Sequence, residues 1–317
     1  MTYNSAECVK ECLVSLRTTL PGAHIVVVDN GSTDATLAEV RSHAPDALIL
    51  AGHGNVGYGQ ACNIAAAAVE CSHLLLLNPD VRLEAADAEG LALLWKARPL
   101  GIVAPLLAGQ GSSTPRHQVF RRRGWFREAI EHGLGPLIPR EVARPRRPSR
   151  KWGQTAWASG AMLLVNREEF QAVGGFDPSF FLYYDDQDLC RRYVQSGLPI
   201  RTTTVLQGAH AGGKSSPGST GSGAALRISV LGWIEYLDRW EGRATAERAA
   251  RLALGLVRAS DVLLRAAALA RPRSLRVARK RRQVAELWSG LGETAHASPP
   301  PVGRHYPNAR QILKRVH

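Results

Sequence analysis

Short apolar runs that stop at a polar turn alternate with helical patterns through the first 110 residues. No other feature constrains the fold as strongly. Asn4, with Glu7 three residues later, has capping-box spacing and opens a helix that runs to Pro21-Gly22. His24–Val28 is a β-branched run that reads as a buried strand ending at Asp29-Asn30-Gly31. Thr33 or Asp34 caps the next helix, to about His43; Ala47–Ala51 reads as a second strand and Gln60–Cys71 as a helix. Leu74–Leu77 is a third strand, stopping at Asn78-Pro79-Asp80. Strands alternating with helices predict an α/β fold with a mostly parallel sheet. Ligands of such sheets bind beyond the carboxyl ends of the strands, where Asp29 and Asp80 both fall.

The pattern then changes. Residues 108–151 are rich in Gly, Pro, Ser and Arg and read as a loop or lid. Ala156–Val165 is a fresh strand, Arg167–Val173 a helix, Gly174-Gly175-Phe176-Asp177 a turn, and Asp186–Ser196 a helix closed by Gly197. Gly208–Gly223 reads as a flexible loop, and Ala224–Leu291 as amphipathic helix; the last 25 residues read as poorly ordered. The expected organisation is a domain over 1–223, a helical extension over 224–291 and a basic tail over 292–317.

Charge narrows the possible partners. The net charge of +13 points to a polyanion: nucleic acid, anionic membrane or phosphorylated substrate. It is unevenly spread, at −5 over 1–115, +8 over 116–151, −1 over 152–240 and +11 over 241–317. The motif-bearing regions are thus mildly acidic. No nucleic-acid reading module or aromatic–basic interleaving is present, so nucleic acid is not expected as a partner. Five cysteines without CxxC spacing argue against a disulfide framework and for a reducing cytosol. Cys8 and Cys12 share a helix face and read as buried small hydrophobes. There is no signal peptide and no run of about 20 apolar residues. Leu252–Ala270 comes nearest and is interrupted by Arg258, Asp261 and Arg265.

Five segments carry candidate chemistry. Asp29-Asn30-Gly31-Ser32-Thr33-Asp34 suits recognition of a base N–H or ribose hydroxyl, or is a plain strand–turn–helix junction. Gly52-His53-Gly54-Asn55-Val56-Gly57 is formally GxGxxG, with Asp80 beyond it as in dinucleotide-binding folds. Against that reading, a strand and a helix with their own polar turn come first, whereas the fingerprint usually opens its domain. Asn78-Pro79-Asp80 suits a hard cation that bridges carboxylate to phosphate, or is turn chemistry. Asp185, Asp186 and Asp188 crowd three carboxylates into one helix start beside Phe180-Phe181-Leu182-Tyr183-Tyr184. Such crowding can raise one pKa and make a general base. His210 lies among glycines next to Lys214.

Taken in order, these pieces resemble the family 2 glycosyltransferases of the GT-A fold, in particular the rhamnosyltransferase-like branch. The matching residues are Thr2-Tyr3-Asn4, Val28-Asp29-Asn30-Gly31-Ser32, Asn55-Val56-Gly57-Tyr58-Gly59 with Asn63, and Asn78-Pro79-Asp80. They continue with Trp157-Ala158-Ser159-Gly160-Ala161, Gly174-Gly175-Phe176-Asp177, Asp185-Asp186-Gln187-Asp188-Leu189 and His210, and together span about residues 2–215. The resemblance implies an inverting, metal-dependent transferase that moves a sugar from a nucleotide donor. Thr2, Tyr3 and Asp29 would then cradle the base and ribose, and Asn55 and Gly57 would line the donor pocket. Asn78-Pro79-Asp80 stands where the family's DxD motif lies, so Asp80 would hold Mg²⁺ or Mn²⁺ on the diphosphate, with His210 as a further ligand. Asp186 would be the general base, Asp185 or Asp188 would orient it or the acceptor, and Gly160 would leave room for sugar or acceptor. The Asn-Pro-Asp form leans to dTDP-rhamnose as donor and a cell-wall or polysaccharide hydroxyl as acceptor.

Two departures are visible. Asn78 replaces one DxD carboxylate, and the hydrophobic strand that normally leads into Thr2-Tyr3-Asn4 is missing ahead of Met1. Leu226, Val230, Ile234 and Leu237 lie at helical spacing, with Arg271, Arg273, Arg276 and Arg279–Arg282 beyond them. That pattern fits either a helical cap or a cytoplasmic enzyme held peripherally on the inner, anionic face of the plasma membrane, where lipid-linked glycan acceptors reside. The competing classes are a transferase using a UDP- or GDP-linked sugar, a non-catalytic scaffold of the same fold, an NAD-binding Rossmann protein and a basic nucleic-acid binder.

Overall fold

A computed structural model describes residues 1–109, 115–116, 118–121, 124–134, 156–210, 223–270, 274–275, 277–278, 280–282, 284–285 and 305–316. Lys214, most of the Gly208–Gly223 loop, Arg271, Arg273, Arg276 and Arg279 lie outside them. The chain divides into two compact units: residues 1–122, 146–178 and 185–217 in one, residues 123–145, 179–184 and 218–317 in the other. The boundary therefore differs from the single cut at 223 expected from sequence, because two inner segments join the C-terminal helices.

In the first unit, helix α1 (Ala6–Thr19) precedes strand β1 (Val26–Val28), α2 (Thr36–His43), β2 (Leu48–Leu50) and α3 (Tyr58–Ala67). Then come β3 (His73–Leu77), β4 (Val81–Ala86), α4 (Ala88–Lys96) and β5 (Ile102–Ala108). The alternation is as expected, but the start of α1 is not. Asn4 has φ +45, and its side-chain oxygen accepts the Thr33 N–H at 2.8 Å instead of capping α1. Ser5 is the N-cap, and Asp34 reaches across to accept the Ala6 N–H. Val9 and Leu13 of α1 pack with Ile25, Val27 and Val40.

The sheet is mixed, which corrects the expectation of a mostly parallel one. β1 and β2 form a separate parallel pair. The main sheet runs β3, β9 (Met162–Asn166), β5, β10 (Ile200–His210), β4, with β6 (Pro115–Arg116) on β5. Within it only β5 and β10 are parallel. The cause lies in β9, which enters between β3 and β5 and runs against both. It puts β3 and β4 at opposite edges although only Asn78-Pro79-Asp80 separates them in sequence. The run expected as one strand from 156 to 165 is two, β8 (Ala156–Ala158) and β9, broken at Ser159–Ala161. β8 pairs with β7 (Val119–Arg121), so residues 108–151 are not all loop. Val81, Leu83, Leu107, Met162 and Leu206 form the core against this sheet. Helices α6 (Arg167–Ala172) and α7 (Asp185–Gln195) complete the unit.

The second unit is helical: α5 (Trp125–Leu134), α8 (Gly223–Glu241), α9 (Arg243–Ala270) and α10 (Pro307–Val316). Val230, Ile234 and Leu237, candidates for a membrane face, lie 4%, 0% and 1% exposed in its core, so they belong to the cap and not to a surface. The tail is not disordered over its last described stretch. α10 buries Ala309, Ile312 and Leu313, and the buried Glu235 carboxylate of α8 accepts the Ala309 N–H at 2.8 Å and the Asn308 amide at 3.1 Å. A carboxylate on the first turn of a helix satisfies otherwise orphaned N–H groups.

Candidate active site

The polar turns at the strand ends are tied to one another. Thr2 forms a parallel bridge to Asp29, its N–H donating to the Val28 carbonyl at 2.9 Å. The Asp29 carboxylate, 2% exposed, accepts from the Thr2 hydroxyl at 2.9 Å and from the Ser32 N–H and hydroxyl at 2.9 and 2.6 Å. It thus fixes the shape of its loop with the very oxygens assigned to base and ribose. Tyr3 is half-buried beside it. The Asn30 amide donates to the Gly57 carbonyl at 3.1 Å, and Asn55 Oδ1 accepts the Gly57 N–H at 3.2 Å. Gly57 has φ +86, a conformation other residues adopt only with strain, as the chain turns into α3. Asn63 binds the Phe176 N–H and carbonyl at 2.8 and 2.7 Å, which makes it a brace for the Gly174-Gly175 turn.

Gly160 and Ala161 join the two chemical halves. The Gly160 N–H donates to Asp186 Oδ2 at 3.1 Å, and the Ala161 carbonyl accepts the Asn78 N–H at 2.9 Å. The Tyr58 hydroxyl holds the Gly160 carbonyl. A Cβ on Gly160 would lie 3.3 Å from the Tyr58 ring and 3.6 Å from Asp186 Cβ. Gly160 thus lies against the Tyr58 ring and the Asp186 side chain. Tyr58 was not assigned a role from sequence, since its partner lies 102 residues away.

On the other side, antiparallel pairing of β10 with β4 sets His210 opposite Val81. That register brings His210 Nε2 to 3.2 Å from Oδ1 of Asp80, whose side chain is fully buried. A histidine that looks incidental in its loop is therefore delivered to the Asn78-Pro79-Asp80 turn by the sheet. Among the described residues no three His, Cys, Asp or Glu side chains converge as a cation cage. Asp80 and His210 are a pair.

The three acids of α7 have different surroundings. Asp188 is fully buried and pairs with Arg192 Nε at 2.8 Å; Arg192 also donates to the Val173 carbonyl at 2.7 Å. Asp185 is 4% exposed, and burial first, then the charge of Asp186, push its pKa from 3.8 up to about 8. Asp186 alone is half-exposed, its Oδ1 accepting the Gln187 N–H at 2.8 Å while Oδ2 accepts from Gly160.

A family model described as "Glycosyl transferase family 2" matches residues 1–174. The chain belongs to glycosyl transferase family 2. It is a glycosyltransferase with the GT-A fold, and similar curated proteins lie in the rhamnosyltransferase-like branch. An N-acetylglucosaminyl-diphospho-decaprenol L-rhamnosyltransferase of Mycobacterium tuberculosis is 30% identical over 217 residues, covering 62% of this chain and 69% of the relative. Rhamnosyltransferase WbbL of Escherichia coli is 21% identical over 217 residues, covering 66% of this chain and 81% of WbbL. Among solved structures, a mannosyltransferase of Pyrobaculum calidifontis in complex with GDP-Man and Mn²⁺ superposes with a TM-score of 0.51 at 17% identity, over 92% of this chain and 84% of that one. This last likeness concerns the fold.

Proposed function

We propose that this glycosyltransferase moves rhamnose from dTDP-rhamnose, with inversion, to a hydroxyl of a lipid-linked or polysaccharide acceptor, and that Asp186 is its general base. The observation that carries the reading is the contrast within the acidic motif. Asp188 is neutralised by Arg192 and Asp185 is buried, which leaves Asp186 as the half-exposed carboxylate, held by two backbone N–H groups. In the reaction the acceptor hydroxyl gives its proton to Asp186 while its oxygen bonds to the anomeric carbon. The bond from that carbon to the diphosphate breaks, and the nucleoside diphosphate leaves with the electron pair.

Thr2, Tyr3, Asn55, Gly57 and Asn78 line the donor side in this reading. Asp29 keeps the shape of that wall through Thr2 and Ser32. Asp80 and His210 offer a carboxylate oxygen and an imidazole nitrogen, a donor set that fits Mn²⁺ and, less well, Mg²⁺. A divalent cation held there supplies neutralisation of the departing diphosphate. The Mn²⁺ and GDP-Man of the mannosyltransferase and the decaprenol-linked glycan in the mycobacterial relative's name support the donor, metal and acceptor classes.

Among the described residues no helix is long and apolar enough to cross a membrane. On the outer side of α9, Val262, Leu263 and Leu269 are 65%, 60% and 86% exposed on the segment that carries Arg258 and Arg265. Apolar side chains beside arginines favour a peripheral position on an anionic cytoplasmic leaflet. The test of function is a screen of dTDP-rhamnose against UDP- and GDP-linked sugars, with Mn²⁺, Mg²⁺ or chelator, in the wild type and Asp186→Asn. Metal-dependent release of dTDP by the wild type supports the reading, and preference for another nucleotide corrects the donor.

A further inference from the structure

Tyr58, Gly160 and Asp186 all belong to the sheet unit. Gly160 is buried in the break between β8 and β9, outside both strands. Two side chains far apart in sequence take up its backbone groups. The Tyr58 hydroxyl donates to the Gly160 carbonyl, and the Gly160 N–H donates to Asp186 Oδ2 at 3.1 Å. One glycine thus carries a line of hydrogen bonds from the start of α3 to the half-exposed acid of α7. A buried carbonyl outside a strand needs such a donor. Burial pushes the Tyr58 hydroxyl well above its usual pKa, so it stays protonated and remains the donor.

Tyr58 is itself fixed from backbone to ring. Its chain leaves Gly57, whose N–H bonds Asn55 and whose carbonyl accepts the Asn30 amide. The side chain is 6% exposed and its ring meets Phe176 edge-on, centroids 5.7 Å apart. Asn63 holds Phe176 by its N–H and its carbonyl. Gly59 lets α3 lie so close that a Cβ there would sit 2.6 Å from Phe176 Cβ. These contacts hold the ring whether or not it carries a hydroxyl. The hydroxyl therefore adds something that packing does not, which is the bond to Gly160.

We infer that Tyr58 is a positioning residue for the reaction: through Gly160 its hydroxyl holds Asp186 in the orientation that proton transfer from the acceptor needs. This rests on Asp186 being the base. Glycine has the widest range of backbone conformations, so a Gly160 whose carbonyl has lost its donor is free to turn its N–H away from Asp186. The carboxylate then loses one of the two backbone N–H groups that orient it. A displacement of about 1 Å in a reacting group is enough to lower a rate by about 10²-fold.

The experiment uses the full chain and the nucleotide sugar that the wild type turns over. Tyr58→Phe keeps the ring on Phe176 and removes the Gly160 bond. Its kcat is expected to fall about 10–100-fold with the donor KM within about twofold of wild type. In the Asp186→Asn background the same change is expected to lower kcat by less than about twofold, because the group it acts through is already gone. Glu169→Ala strips the Leu100 and Gly101 N–H groups of their acceptor elsewhere in the same unit. It is expected to lower the melting temperature and leave kcat within about twofold. Wild-type kcat in Tyr58→Phe, a loss that falls on the donor KM, a kcat loss matched by Glu169→Ala, or losses that multiply in the double variant each overturn the proposal. If Tyr58→Phe does not fold, Gly160→Ala presses on the Tyr58 ring and is expected to show the same fall in kcat at unchanged KM; wild-type kcat there overturns the proposal too. The single variant Asp186→Asn separates the two ideas. Retained turnover in it removes the base itself, whereas lost turnover beside an unaffected Tyr58→Phe removes the positioning role alone.

Discussion

Replacing Asp185 by asparagine probes the energetics of the acidic motif. Asp185 Oδ1 accepts the Asp186 N–H at 3.1 Å, while Oδ2 is buried with no hydrogen-bond partner among the described residues. Burial and the neighbouring Asp186 charge raise its pKa, so the folded protein holds this carboxyl protonated at neutral pH whereas the unfolded chain ionises it. The folded state therefore binds the extra proton. Its contribution to stability is complete below the free value of 3.8 and is lost as pH rises toward about 8. Keeping a carboxyl of pKa 3.8 protonated at pH 7 opposes folding by about 4 kcal/mol, at about 1.4 kcal/mol per unit. Asparagine keeps the shape and the accepting oxygen and has no proton to lose. Its amide brings one more buried N–H, which returns about 1–3 kcal/mol of that gain. The expected result is a variant more stable than wild type by about 1–3 kcal/mol near neutral pH, with the advantage vanishing or reversing near pH 4–5. Urea unfolding followed by tryptophan fluorescence at a series of pH values measures it. A difference between the two proteins that does not change with pH refutes the reasoning, because it would mean that Asp185 is ionised in both folded and unfolded states.

Other outcomes follow from the same geometry. His210→Ala is expected to weaken Mn²⁺ binding by about 10–100-fold, read by calorimetric titration in the presence of dTDP, and unchanged affinity removes His210 from the metal site. The double variant Val262→Ser, Leu263→Ser is expected to lose most of the wild type's sedimentation with vesicles containing anionic lipid at low salt, while turnover of a water-soluble acceptor persists. Equal sedimentation of both proteins rejects the α9 face as the membrane contact.

The strand ends, the acidic helix start and the helical extension were legible in the sequence because each has a local signature: a β-branched run closed by a turn, three carboxylates before an amphipathic helix, a long period-3.6 stretch. What escaped was long-range. The mixed sheet arises because β9 inserts between β3 and β5, and no local pattern distinguishes an antiparallel insertion from a parallel one when both faces are buried. The closeness of His210 to Asp80 depends on the register of β10 on β4, and Tyr58 reaches Gly160 across 102 residues. The tail composition of Pro, Arg and His hid a helix whose order comes from Glu235 and Leu182 and not from its own propensity. The protein partners of Gly160 and Asp29 were likewise out of reach, since Gly160 bonds Asp186 across 26 residues and Asp29 bonds Thr2 across 27.

The central claim is that Asp186 takes the acceptor proton during sugar transfer. It is tested most directly by steady-state transfer from dTDP-rhamnose to a polyprenyl-diphosphate-linked acceptor, with dTDP binding measured alongside by calorimetry. Asp186→Asn is expected to lower kcat by about 10²–10⁴-fold with unchanged dTDP affinity. Turnover within a few-fold of wild type in that variant would contradict the account.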